Sequence, residues 1–275
     1  MTKKLLILYI CLAILPCVAS ADTGFLWLVN SENPLPESYT PKGLRNYHGK
    51  MLLQEPGEKF GEMLMAMQNE GLQTLQLQSG FRCYNHQKVV LRQREREVGQ
   101  LQAKKSVQQP GASEHQLGLA LDVSLNGKLE QAFGDTPEGM WLKGNCHKFG
   151  FILRYPANKT AITGISYEPW HLRYVGHPHA SIMFEMDFAL EEYLEFLRHT
   201  GTYLYCENNG YWLVMYKNTP PEPNGGEYSA FCMDAVEFVV VKKCHPTSPA
   251  SGFKCFWSKE QTNLCNLRHS HSKIY

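Results

Sequence analysis

The sequence predicts an α+β fold, a small antiparallel sheet with flanking helices, followed by a small β-rich C-terminal region. Two observations lead there. Helical and two-residue periodicities alternate along residues 56–197 without a repeating βαβ rhythm, which disfavours a doubly wound parallel sheet. Aromatic residues, turn formers and cysteines then become dense after about residue 200, which marks a change of architecture. The 275 residues are enough for one or two domains with a real apolar core.

The elements follow in chain order. Residues 1–21 carry Lys3 and Lys4, an apolar run from Leu5 to Leu15, Pro16, and the small-residue end Ala19-Ser20-Ala21. This is the layout of a secretory signal peptide, and the run is about half of the ~20 apolar residues that span a bilayer. A secreted, extracytoplasmic protein with no stable membrane span after signal removal is expected. Pro56 to Glu70 places Phe60, Met63, Leu64 and Met67 at helical spacing, with Gly71 as the stop. Leu72–Leu77 and Leu117–Val123 alternate with the period of strands, and Phe188–Leu197 reads as a closing helix. Residues 88–105 read as a solvated helix whose mixed charges carry no chemistry. With Lys+Arg 27 against Asp+Glu 26, the formal charge of +1 gives no polyanion-binding surface, and no nucleic-acid partner is expected.

The chemistry concentrates in two segments. His115 and Asp122 flank a short apolar run carrying Gly118 and Ala120, whose small side chains would leave space beside them. Glu168-Pro169-Trp170-His171 adds a carboxylate and a second imidazole. Alone, each such residue reads as a surface histidine or a turn former. Together His115, Asp122 and His171 form a plausible catalytic zinc set, because three protein ligands leave one tetrahedral position open. Such an ion lowers the pKa of a bound water from about 15.7 to about 7. Glu168 would be the general base. His177 and His179 form an H-x-H pair with no obvious third ligand, so no second metal is assigned to them.

SGFRCYNHQ (79–87), GASEHQLGLALDV (111–123), WLKGNCHKFGFILRYP (141–156) and TGISYEPWHLRYVG (163–176) together resemble the VanY-type D-alanyl-D-alanine carboxypeptidases and the related L,D-carboxypeptidases of bacterial peptidoglycan. The S-x-H-x-x-G-x-A-x-D segment with E-P-W-H carries the specificity, and the likeness runs from Leu28 to about Leu194. The resemblance implies a Hedgehog/DD-peptidase-like fold over residues 22–199, one Zn2+ held by His115, Asp122 and His171, and Glu168 as catalytic base. It also implies that Arg82, Gln87, Ser113 and Tyr155 surround the substrate's terminal carboxylate and scissile amide. A guanidinium suits a carboxylate because it offers a planar pair of donors, and Arg82 or Tyr155 would also stabilise the oxyanion. Cys83 and Cys146 stand where the family commonly has Ser and Ala, which leaves two readings, a disulfide or two buried thiols.

The implied activity is that of a secreted, cell-wall-associated zinc D-alanyl-D-alanine carboxypeptidase, with peptidoglycan stem peptides ending in D-Ala as its partners. The alternatives are an L,D-carboxypeptidase acting on tetrapeptide stems and a non-catalytic wall-binding module with a structural zinc. Structural zinc usually takes four protein ligands, often thiolates, and only three are evident here. Residues 200–275 form the remaining unit. YLYCENNGYWLVMYKN alternates around Asn209-Gly210 as a hairpin, and Val236–Val241 reads as another strand. Five of the seven cysteines beyond the leader fall here, as expected of a small accessory domain stapled by disulfides.

Overall fold

The computed structural model describes residues 24–207, 210–217, 228–232, 238–244 and 254–257. The leader, Cys265 and the tail histidines His269 and His271 lie outside these residues, and so does the disulfide pairing expected after residue 200. Strands β1 (Arg45–Tyr47) and β2 (Lys50–Leu52) lead into helix α1 (Gln54–Asn69). Strand β3 (Gln76–Ser79), helix α2 (Tyr84–Val98) and the single turn α3 (Gln100–Ala103) come next. Strand β4 (Ala120–Ser124), helix α4 (Pro137–Asn145), strand β5 (Phe151–Leu153), the turn α5 (Thr160–Thr163) and strand β6 (His171–Tyr174) complete the site-bearing part. Helices α6 (His179–Met186) and α7 (Leu190–Thr200) close it.

The central sheet has the order β3-β4-β6-β5 with every neighbour antiparallel. All five residues of β4 are buried, so both faces of the sheet are covered. The two-residue period sends Leu121, Val123, Leu172 and Tyr174 into the core, which they share with Phe60, Met63, Leu64 and Met67 of α1. That leaves Ala120, Asp122, His171 and Arg173 on the opposite face. In register, Asp122 lies directly across from His171 and Ala120 from Arg173.

A second sheet, in the order β11-β7-β8-β10-β9, comprises β7 (Thr202–Glu207), β8 (Gly210–Lys217), β9 (Tyr228–Cys232), β10 (Phe238–Cys244) and β11 (Lys254–Trp257). The expected hairpin is β7–β8, with Glu207 opposite Gly210. Tyr203 of β7 is buried, and its hydroxyl lies 3.1 Å from that of Tyr193 in α7.

Three expectations need correction. Leu117 is not in a strand: Glu114–Leu117 is a 3-10 turn that ends on Gly118 at φ 71, and β4 starts only at Ala120. A Cβ on Gly118 would meet Leu44 Cδ2 at 2.8 Å. Glycine is therefore needed for the left-handed turn and for close packing, and the space it leaves is taken up by Leu44. The strand expected over Leu72–Leu77 starts at Gln76, because the Gln73 amide donates to the Glu138 carboxylate and not to a neighbouring strand. Cys83 and Cys146 are free thiols. Cys83 is exposed ahead of α2, whereas Cys146 sits in the core, where burial pushes its thiol up to about 12.

Candidate active site

The sheet and one turn build the site. Asp122 and His171 are cross-strand neighbours, and the turn before Gly118 brings His115 beside them. Asp122 Oδ2 lies 3.2 Å from His115 Nε2, and Asp122 Oδ1 lies 2.9 Å from His171 Nδ1. The other ring nitrogen of His115 is 2.7 Å from the Gly80 carbonyl, to which it donates, so Nε2 keeps its lone pair for the cluster. One potential ligand atom from each of the three residues lies within 4.8 Å of the others, and all three side chains are buried.

Electrostatics favour a cation here. Burial alone would raise the Asp122 carboxyl, but His115 and His171 outweigh it and hold it well below its usual range. Burial likewise opposes charge on His171, yet the hydrogen bond to Asp122 and the nearby Glu114 carboxylate raise it to about 9. His115 is lowered, first by burial and then by Arg82. The cluster thus draws positive charge onto His171, and a divalent ion would supply that charge in place of the proton. Two imidazole nitrogens and a carboxylate are a donor set that suits zinc.

Glu168 is placed by its backbone, which donates to the Tyr155 carbonyl at 3.0 Å while its own carbonyl accepts from the His171 amide at 3.2 Å. Its side chain is only 7% exposed, and burial pushes its carboxyl up to about 8, with His171 opposing the shift. Arg82 follows β3, where the register shifts between Leu77 and Ser79 and Ser79 comes opposite Asp122. The Arg82 Nε donates to Gln87 Oε1 at 2.6 Å and Nη1 to Ser79 Oγ at 3.3 Å. Burial lowers the guanidinium from its usual value, while Asp122 and Glu168 pull the other way. The Tyr155 ring packs 5.0 Å from that of His171.

These residues open onto a groove of about 660 Å³ lined by Arg82, Ser113, His115, Asp122, Tyr155, Glu168 and His171. Of the residues expected to surround a substrate, Gln87 alone is set back. It is 1% exposed, does not line the groove, and links Arg82 to the Gln108 carbonyl through its Nε2 at 2.6 Å. One groove wall comes from the stretch read as chemically silent, with Val90, Arg94, Val98, Gln102 and Lys105 all lining it. His177 and His179 belong to another environment, where His179 Nδ1 lies 2.7 Å from the Tyr193 hydroxyl.

The sequence reading missed a buried charge cluster behind His171. Glu114 Oε1 accepts from Arg154 Nε at 2.7 Å and pairs with Arg173 Nη1 at 2.8 Å. Arg154 also forks onto Glu191 of α7, at 2.7 and 3.0 Å. Burial would raise the Glu114 carboxyl, but the two arginines hold it well below its usual range. The available signal was a further charged residue inside each motif: Glu114 in S-E-H-Q, Arg154 in FILRYP and Arg173 in HLRY.

The family described as VanY, D-alanyl-D-alanine carboxypeptidase, matches residues 49–177. The putative carboxypeptidase YodJ of Bacillus subtilis (strain 168) is 41% identical over 185 residues, which cover 62% of this chain and 67% of that protein. The chain belongs to the VanY family. Being a VanY protein, it is a carboxypeptidase, and its fold is that of the family's zinc peptidases. A VanY D,D-pentapeptidase from a VanB-type resistance cassette, solved as a mutant in complex with Zn(II), is 34% identical with a TM-score of 0.56, covering 62% of this chain and 98% of its own. The LdcB LD-carboxypeptidase is 40% identical with a TM-score of 0.56, covering 61% of this chain and 84% of its own.

Proposed function

We propose that this chain is a zinc-dependent D,D-carboxypeptidase that releases the terminal D-Ala of peptidoglycan stem peptides outside the cytoplasm. The observation that carries the reading is the convergence of His115, Asp122, His171, Glu168 and Arg82 on one open groove. His115 Nε2, an Asp122 oxygen and His171 Nδ1 would hold one Zn2+. Bound there, the ion would polarise the scissile carbonyl and acidify a water. Arg82, its Nε and Nη1 held by Gln87 and Ser79, receives the substrate's terminal carboxylate and so restricts cleavage to a chain end. Glu168 takes the proton of the attacking water and returns it to the leaving amine. Its burial raises that carboxyl above the usual carboxylate range, which favours uptake of the proton. Tyr155 and Ser113 line the same groove as partners for the peptide.

The D,D assignment is supported by the likeness to a D,D-pentapeptidase. An L,D-carboxypeptidase is the second reading, favoured by the 40% identity with LdcB. Both predict D-alanine as product, from different stems. Incubating the zinc-loaded protein with defined pentapeptide and tetrapeptide stems, followed by mass spectrometry, separates them. Loss of D-Ala from the pentapeptide supports the D,D reading, and loss from the tetrapeptide alone supports the other. Both stems left intact, with one equivalent of zinc bound, would favour a wall-binding module.

Export rests on the leader-like residues 1–21, and N-terminal sequencing of the mature protein tests it. Residues 200–275 are proposed as an accessory domain.

A further inference from the structure

Two unpartnered atoms behind the site fit one another. His171 Nε2 and Glu114 Oε2 are both buried without a hydrogen bond, and they face each other at 3.8 Å. The other oxygen of Glu114 is already committed to Arg154 and Arg173. The other nitrogen of His171 is directed at Asp122. A neutral imidazole can offer a lone pair from Nδ1 only if its proton sits on Nε2. We propose that Glu114 is a positioning residue that sets the tautomer of His171: its Oε2 accepts the Nε2–H, so that Nδ1 presents a bare lone pair to the cation. This inference rests on the zinc reading given above and assigns a role to a residue outside the ligand set.

The arginines make the device one-directional. Arg154 and Arg173 demand an acceptor at Oε1, and the Arg154 fork onto Glu191 fixes the guanidinium that does so. The carboxylate can then turn only its second oxygen toward His171, and an ionised carboxylate is acceptor-only. In Glu114→Gln the amide oxygen would be drawn to the arginines, which turns the NH2 group toward His171 Nε2. A donor at that place favours the proton on Nδ1, the tautomer that cannot ligate. A near-isosteric change thereby reverses the preference while leaving every ligand in place.

The test measures zinc affinity by competition with a chromophoric chelator, for wild type and for Glu114→Gln, with circular dichroism of both metal-free proteins. The expected result is a loss of about 10- to 100-fold in affinity in a folded variant. Unchanged affinity in a folded variant overturns the inference and leaves the zinc reading intact. A wild-type protein that takes up no zinc overturns both. If the variant does not fold, 15N spectra of histidine-labelled, zinc-loaded wild type decide the matter. A metal-bound Nδ1 with a slowly exchanging Nε2–H on His171 supports the inference, and a metal-bound Nε2 overturns it.

Discussion

Acidification should weaken the fold through His179. Its ring lies in the core between α6 and α7, beside the Tyr193 hydroxyl, which in turn meets that of Tyr203. Burial, with a contribution from His177, pushes the ring from its ordinary 6.5 down to about 3. Burial keeps both phenols neutral across this range by raising them. Between those two values the unfolded chain binds a proton that the folded chain refuses, so stability is full above pH 6.5 and falls as the pH drops toward 3. At pH 5 the unfolded ring is almost wholly charged and the folded ring neutral, a loss of about 2 kcal/mol relative to pH 8. With a urea dependence of about 2 kcal/mol/M this is about 1 M in midpoint. His179→Asn keeps a polar atom toward Tyr193 and cannot titrate. Urea titrations of both proteins at pH 8 and pH 5, with chelator present to remove metal linkage, should show the wild-type midpoint falling about 1 M further than the variant's. Parallel shifts in the two proteins would refute the reasoning.

Three further outcomes are expected. Glu168→Gln should lower kcat for D-Ala release by about 10²- to 10⁴-fold with little change in KM, as read by initial rates on a defined stem peptide. Arg82→Lys loses the planar donor pair and should cost about tenfold to a hundredfold in kcat/KM. A peptide amidated at its C-terminus should be cut equally slowly by wild type and by this variant; the same fold-loss on the amide as on the free acid would argue against the clamp. Gly118→Ala forces a β-carbon into a left-handed turn and against Leu44, and should cost at least about 1–2 kcal/mol in urea denaturation, whereas an unchanged midpoint would mean that the turn adjusts.

Much of the site was legible because it lies in two short motifs. His115, Asp122, Glu168 and His171 are read from residue type and order; the sheet register pairs Asp122 with His171, the turn before Gly118 adds His115, and Glu168 lines the same groove. The helix over Phe60–Met67 and the hairpin at Asn209-Gly210 are visible for the same reason: each is a local pattern. What escaped depends on distance in the chain. Gln87 cannot be told from a substrate contact until Arg82 is seen against it, and Glu114 acquires meaning only with Arg154, Arg173 and Glu191 around it. The groove wall from α2 and α3 was hidden because a half-exposed amphipathic face has the composition of a solvated one. Neither reading of Cys83 and Cys146, a disulfide or two buried thiols, holds for the pair, since one thiol is exposed and the other lies in the core.

Because Asp122 and His171 face each other across one ladder, the spacing of these two candidate ligands is inherited from main-chain pairing, and the turn before Gly118 adds His115. A slip of β6 by one residue would turn His171 away from Asp122 altogether, so the chemistry depends on the register itself. The connection from Leu125 to Gln131, which borders the groove at Leu129, Glu130 and Gln131, carries no such constraint. Relatives that diverge there, or chimaeras that exchange it, can alter which peptide fits while inheriting an intact centre.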